Sequence, residues 1–247
     1  MNKIGILMLS NTKKRNWKKY DETYLFNSLN SIKNTLCSNY IYNLYIGIDD
    51  DDSLLINNED NFKKMLNNNE NINIKFIYFS DIKKGHVTKM WNVLHDIAYN
   101  NNCDYYYAMG DDSEFSKKGW VTKSINNLKK NNDIGIAGPL NVNGNTGIIT
   151  QPFFSRKHRE IFGTLFPEEI INWFCDNWIN DVYKKYDEKL LVRDNEYTFK
   201  NSSFGTGGER YQVVNIHNKI NEIVDDYHAI LQNYMLIYYD NTMLNLI

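Results

Sequence analysis

One stretch constrains this chain more than any other: Tyr105-Tyr106-Tyr107-Ala108-Met109 is aromatic and apolar, and it runs straight into Gly110-Asp111-Asp112-Ser113-Glu114-Phe115. An unbroken apolar run of strand length, between two helical patterns, predicts a strand covered on both faces, as in a parallel sheet. The carboxylates then fall at its C-terminal end. That edge is where open α/β sheets bind ligands.

The chain before it repeats the same alternation. Ile4-Gly5-Ile6-Leu7-Met8-Leu9 reads as a first strand, broken by Ser10-Asn11-Thr12. Leu25, Leu29, Ile32 and Leu36 recur at helical spacing behind Asp21, a candidate cap. Leu44 to Ile48 predicts a second strand ending in Asp49-Asp50-Asp51-Asp52, 59–66 a short helix, and Asn73 to Phe79 a third strand. Val87, Met90, Trp91, Leu94, Ile97 and Ala98 share one helical face and lead into the opening strand. This order predicts a doubly wound parallel sheet.

After the acids, Trp120, Ile125 and Leu128 predict a helix, 134–137 a strand, and 138–147 a loop rich in Gly and Asn. From Ile148 the texture changes, and 161–178 is dense in aromatics, with Asp176 inside Trp173-Phe174-Cys175-Asp176-Asn177-Trp178. A helix is expected over 178–186, and the simpler alternative to a functional part for Asp176 is that it caps this helix. The loop 201–210 holds Gly205, Gly207, Gly208 and Arg210, and Ile220 to Tyr234 predicts a long closing helix. No linker divides the 247 residues, so one domain is expected.

Totals exclude several classes. Net charge is -2, which leaves no electrostatic footprint for nucleic acid. Cys37, Cys103 and Cys175 are odd in number and far apart, predicting neither disulfides nor a zinc site. No apolar run is long enough for a transmembrane segment. The expectation is a soluble, intracellular, cytoplasmic protein.

Two adjacent acids at a strand end repel each other, and a hard divalent cation, Mg2+ or Mn2+, offsets that charge through oxygen ligands. An acidic turn capping the next helix is the simpler alternative. Gly110-Asp111-Asp112 also matches the GDD of RNA-dependent polymerases, but length and charge exclude that reading. The first loop, Ser10-Asn11-Thr12-Lys13-Lys14, lacks the glycines of a sugar nucleotidyltransferase or a dehydrogenase.

The element order over roughly residues 3 to 180, with Asp111-Asp112 in the place of a metal-binding DxD signature, resembles the GT-A fold of glycosyltransferases, most of all inverting, family-two-like members. The resemblance implies a Rossmann-like, mostly parallel central sheet flanked by helices, in a single GT-A-like domain. Residues 1–115 would bind the nucleotide sugar, and 116–247 would supply the acceptor and catalytic half.

It implies a nucleotide-sugar donor, more specifically a UDP-sugar, with a divalent metal, and a glycan, protein or small-molecule acceptor. Base and ribose would meet Ser10, Thr12 and Arg15 in the first loop and Asp49 and Asp50 after the second strand. The diphosphate would meet Gly85, Lys89, Asn92 and Arg210. The metal would take Asp112 first, then Asp111, which could instead hold the ribose, then Glu114. His217 would complete its shell, with His158 and His228 as competitors for that place. Asp176 would be the general base. The alternative is a catalytically inactive protein of this type that binds a nucleotide sugar or glycan without turnover.

Overall fold

The structure is a computed structural model and describes residues 1–205 and 210–244. Eight strands form one sheet: β1 (Lys3–Ser10), β2 (Ile41–Asp49), β3 (Ile72–Phe79), β4 (Tyr105–Gly110), β5 (Ser113–Phe115), β6 (Ile136–Asn141), β7 (Phe153–Ser155) and β8 (Leu191–Asn201). The helices are α1 (Tyr24–Thr35), α2 (Ser53–Ile56), α3 (Glu59–Leu66), α4 (Val87–Asn100), α5 (Trp120–Lys129), α6 (Arg156–Phe162), α7 (Cys175–Tyr186) and α8 (Ile220–Leu244).

Strand order is β3-β2-β1-β4-β7-β6-β8-β5. The expected parallel block is present: β1 pairs with β2 and β4, and β2 with β3, all parallel. Beyond β4 the sheet becomes mixed, within the mostly parallel sheet that was expected. β7 lies antiparallel to β4 and β6, and β5 antiparallel to β8, while β6 and β8 are parallel. Chain order explains the first half. The strands build outward from β1 to β3 and then return to the other side of β1, which leaves a switch point between β1 and β4 where loops diverge.

Period-two alternation divides the core between the two faces of the sheet. Tyr105, Tyr107 and Met109 of β4 pack with α1, α3 and α5, and Tyr106 and Ala108 pack with α4, α6, α7 and α8. Burying three tyrosines in succession is tolerable because each hydroxyl has a partner. Tyr105 donates to Asp133 at 2.9 Å, Tyr106 to the Cys103 carbonyl at 2.7 Å and Tyr107 to Gln151 at 3.2 Å.

Several boundaries differ from the sequence expectation. The cap of α1 is Thr23, whose hydroxyl accepts from the Phe26 amide, and not Asp21, which sits in a preceding 3-10 turn. α7 starts at Cys175, so Asp176 lies in its first turn, and the N-cap is Phe174 at φ 76°. β6 extends to Asn141, into the stretch read as loop.

Candidate active site

The parallel register assembles the site. Leu9 stands level with Gly47 and Gly110, so Ser10, Asp49 and Asp111 all leave the sheet at the β1 switch point. Gly110 has a local reason to be glycine: a Cβ there would stand 2.6 Å from Asp112 Oδ1, against which the carboxylate now rests. The resulting cavity, about 240 Å³, is lined by Ser10, Asn11, Asp49, Asp111, Asp112 and Arg210, among others.

Asp111 is buried and fully engaged. Ser10 Oγ donates to its Oδ2 at 2.6 Å, and Arg210 binds it with both terminal nitrogens, Nη1 to Oδ2 at 2.9 Å and Nη2 to Oδ1 at 2.5 Å. Arg210 Nη1 also donates to the Asn11 carbonyl at 3.1 Å. Burial opposes the charge on Arg210, but the Asp111 pair outweighs it and raises the pKa further. Asp49 is likewise held, by Lys13 Nζ at 2.9 Å and the Tyr211 hydroxyl at 2.5 Å. Its Oδ1 is buried without a partner among the described residues. Asp112 accepts from Ser203 Oγ at 2.5 Å, and burial, then the charge of Asp111, push its pKa up.

β8 explains how residues a hundred positions away reach these acids. Antiparallel pairing sets Ser113 opposite Asn201 and Glu114 opposite Lys200, so the chain past Asn201 runs alongside Asp112. The same register engages Glu114, expected in the metal set, with Lys200 at 3.1 Å and with Ser202. Of the glycines expected in this loop, Gly205 has φ 75°, and Gly207 and Gly208 lie outside the described residues.

Other expected contacts are not brought to the cavity. α4 presents Val87, Met90 and Trp91 to it, at i, i+3 and i+4, which rotates Lys89 and Asn92 away. Lys89 pairs with Glu168 at 3.7 Å, and Asn92 exchanges hydrogen bonds with the Phe166 backbone at 2.8 and 2.9 Å. Gly85, at φ 89°, instead packs against the Tyr211 ring. Thr12 is bound to Asp52 and shapes the first loop, Arg15 lies over the Tyr24 ring at 5.6 Å, and Asp50 is exposed and paired with Lys84 at 3.3 Å. His217 is exposed on the turn before α8, 6.3 Å from the Phe174 ring. His158 is a core residue between the Tyr183 hydroxyl and the Leu165 carbonyl, its pKa lowered to about 4 by burial. His228 sits on α8 against Tyr186.

Among the described residues no group of three or more His, Cys, Asp or Glu could hold a metal by itself. Asp111 is engaged by Arg210 and Glu114 by Lys200, and His217 lines neither this cavity nor its neighbour, so among the expected ligands Asp112 is the carboxylate left without an ion pair among the described residues. One carboxylate, completed by phosphate oxygens and water, is a shell that Mg2+ and Mn2+ accept.

A second cavity of about 560 Å³ adjoins the first through Trp91, Asp112, Arg210 and Tyr211, and holds Trp173 and Asp176. Burial raises the Asp176 pKa, the Asn177 amide at 3.0 Å lowers it, and the charge of Asp181 adds to the rise. Asn180 grips this turn by donating to the Asp176 carbonyl and the Ile149 carbonyl.

Tyr211, Ser203, Lys13 and Asn11 carry much of this geometry, and the sequence reading did not single them out. Only the chain's return along β8 reveals them, apart from Asn11 and Lys13, whose place in the first loop was the available signal.

Neither a family model nor a curated protein matches the chain. Solved structures do. The crystal structure of S. aureus TarS 1-349 with UDP-GlcNAc superposes with a TM-score of 0.58 at 12% identity, covering 91% of this chain and 66% of that one. TarS 1-349 alone gives 0.52 at 14% identity, and its UDP complex 0.51 at 13%. These cover 81% and 80% of this chain, and the chain spans 60% of the TarS fragment in each. TarS is a glycosyltransferase. The chain has a GT-A-like fold. The GT-A-like sheet puts its switch point under Asp111 and its aromatic turn beside Asp176. No helix among the described residues is long and apolar enough to cross a membrane.

Proposed function

We propose that this chain is an inverting glycosyltransferase that moves a sugar from a UDP-sugar to an acceptor hydroxyl. The observation that supports it most is the adjacency of two unlike acid sites: Asp49, Asp111 and Asp112 in one cavity, and Asp176 in the next. TarS, a fold neighbour, has been crystallised with UDP and with UDP-GlcNAc.

Asp49 Oδ1, buried and unpartnered among the described residues, would accept an N–H of the base. Three of the five Arg210 N–H donors are used by Asp111 and Asn11, so two remain among the described contacts for phosphate oxygens. Arg210 and Tyr211 come from the 116–247 half, so the donor site would draw on both halves of the chain. A divalent ion, bound through Asp112 and the phosphates, would neutralise the leaving diphosphate.

In the transfer itself, the acceptor oxygen bonds to the anomeric carbon from the face opposite the leaving group. The bond from that carbon to the phosphate oxygen breaks, and its electron pair leaves on UDP. Asp176 takes the proton from the acceptor hydroxyl.

The test is incubation with a panel of nucleotide sugars and Mn2+, reading free nucleotide. Release with a UDP-sugar is expected. Metal-dependent donor binding without turnover would leave the inactive-binder reading standing, and absence of both would sink the transferase.

A further inference from the structure

We propose that the acceptor is a neutral carbohydrate whose ring stacks on Trp173. This rests on the transferase reading and names the substrate for its second cavity.

Trp173 is 51% exposed at the wall of the 560 Å³ cavity that also holds Asp176. An exposed indole leaves a large apolar face in water, and here its mount is stiff. The Trp173 amide donates to Asn172 Oδ1 at 2.7 Å, and the next residue, Phe174, is fixed at φ 76°, a conformation costly for an aromatic residue. Asn172 has all its capacity in use: it also accepts from the Val214 amide at 3.1 Å and donates to the carbonyls of Gly85 at 3.2 Å and Gln212 at 2.9 Å. The indole is therefore presented by a built turn. A flat aromatic face of this kind suits the C–H face of a pyranose.

The rest of the wall selects against charge. Among the described residues its ionisable side chains are Asp112, Asp176, Arg210, the phenol of Tyr211 and the Cys175 thiol, whose pKa burial raises, and the Arg210 charge is already paired with Asp111. No lysine lines it. A phosphate- or carboxylate-bearing acceptor would face two carboxylates and the donor's diphosphate without a free cation among the lining residues. The neutral polar groups are Asn145, Thr150 and Asn177, with the Trp91 indole behind. Thr150 Oγ1 and Trp91 Nε1 are buried without hydrogen-bond partners among the described residues. Amides, a hydroxyl and an indole face are the chemistry of a sugar site, in which hydroxyl rims meet polar groups and the ring face meets an aromatic.

The full chain is assayed with the UDP-sugar it hydrolyses, in the presence of maltotriose, glycerol 3-phosphate or a Ser/Thr-rich peptide. Maltotriose is expected to accelerate UDP release at least tenfold and to gain the sugar, whereas the anionic polyol and the peptide do neither. Trp173→Ala is expected to raise the KM for maltotriose at least tenfold and that for the UDP-sugar less than twofold, with Trp173→Phe recovering most of the loss. Binding is read separately by quenching of tryptophan fluorescence with maltotriose at saturating UDP, a signal Trp173→Phe should diminish. Transfer to the peptide or the phosphate instead overturns the proposal. So does a donor KM that moves as much as the saccharide KM, which would put Trp173 on the donor side. Failure to bind or hydrolyse any UDP-sugar overturns the transferase reading, and this inference with it.

Discussion

The two acid sites differ in how their charge is balanced. On the β1, β2 and β4 edge, Asp111 is paired with Arg210 and Asp49 with Lys13. In the aromatic turn Asp176 has no ion pair among the described residues, and burial raises its pKa. A carboxylate paired with a cation is held in place as a fixed hydrogen-bond acceptor. A carboxylate left to burial holds a proton more readily than an exposed one, a property that suits a general base. Asp112 falls with Asp176 in this respect, since it too has no ion pair among the described residues and its pKa is raised by burial, so the contrast sets Asp49 and Asp111 against Asp112 and Asp176.

The largest expected effect tests the unpaired acid. Asp176→Asn should lower the transfer rate by roughly a hundred- to ten-thousand-fold, the usual worth of a positioned general base. UDP affinity, measured by calorimetry, should stay within twofold. A variant that keeps its turnover would remove Asp176 from the chemistry and leave the donor cavity as the sole functional acid site.

Next is the paired acid. Arg210→Met strands Asp111 in a buried site and should destabilise the fold by about 3–5 kcal/mol in denaturant unfolding. Adding Asp111→Leu should recover most of that, since a buried ion pair is commonly replaceable by apolar packing. Nucleotide affinity should not return with it. If the double variant binds UDP as the wild type does, the pair is a structural clasp with no part in donor binding.

These contrasts were only half legible in sequence. β1, β2 and β4 could be read because strands buried on both faces are continuous apolar runs, β3 because it alternates, and Ser10, Asp49, Asp111 and Asp112 follow from where the first three stop. β8 could not be read. Its eleven residues, Leu191–Asn201, include Arg193, Asp194, Glu196 and Lys200, and most are half-exposed or exposed, so no apolar period marks them. Ser203 and Tyr211 were invisible for that reason. Arg210 was singled out only as a phosphate-binding residue, and its clasp on Asp111 needed the register. α4 shows a different limit: its apolar face was clear, but the phase that turns Lys89 and Asn92 from the cavity depends on which side of the sheet the helix packs against.

A smaller effect tests the mount that joins the two sites. Asn172 bonds the Gly85 loop, the Trp173 turn and the Gln212–Val214 segment. Asn172→Ala should cost about 1–3 kcal/mol for the carbonyls and amides it leaves unmatched. As a positioning residue it should also lower kcat more than it raises the UDP-sugar KM, because the Asp176 turn loosens while Asp49 and Asp111 keep their partners. Asn172→Asp retains the acceptor half of the clamp and should fall between. Equal changes in kcat and KM would mean that Asn172 only supports the fold.

The smallest effect is one of pH, and its sign is fixed by burial. The folded pKa of Asp176 lies above the unfolded value, so the folded state binds the proton more tightly. The associated stability is present below the unfolded pKa and is lost as pH rises through the folded one. Above the folded pKa the wild type therefore carries a buried carboxylate without an ion pair among the described residues, and there Asp176→Asn should melt at a higher temperature. That gap should close as the pH falls below the unfolded carboxylate range, where both side chains are neutral. Transfer by the wild type should run the other way, declining as pH falls through the raised folded pKa, since the base must be ionised to accept the acceptor's proton. A melting difference independent of pH would mean the carboxylate is solvated or paired in solution. The contrast between the two acid sites would then collapse.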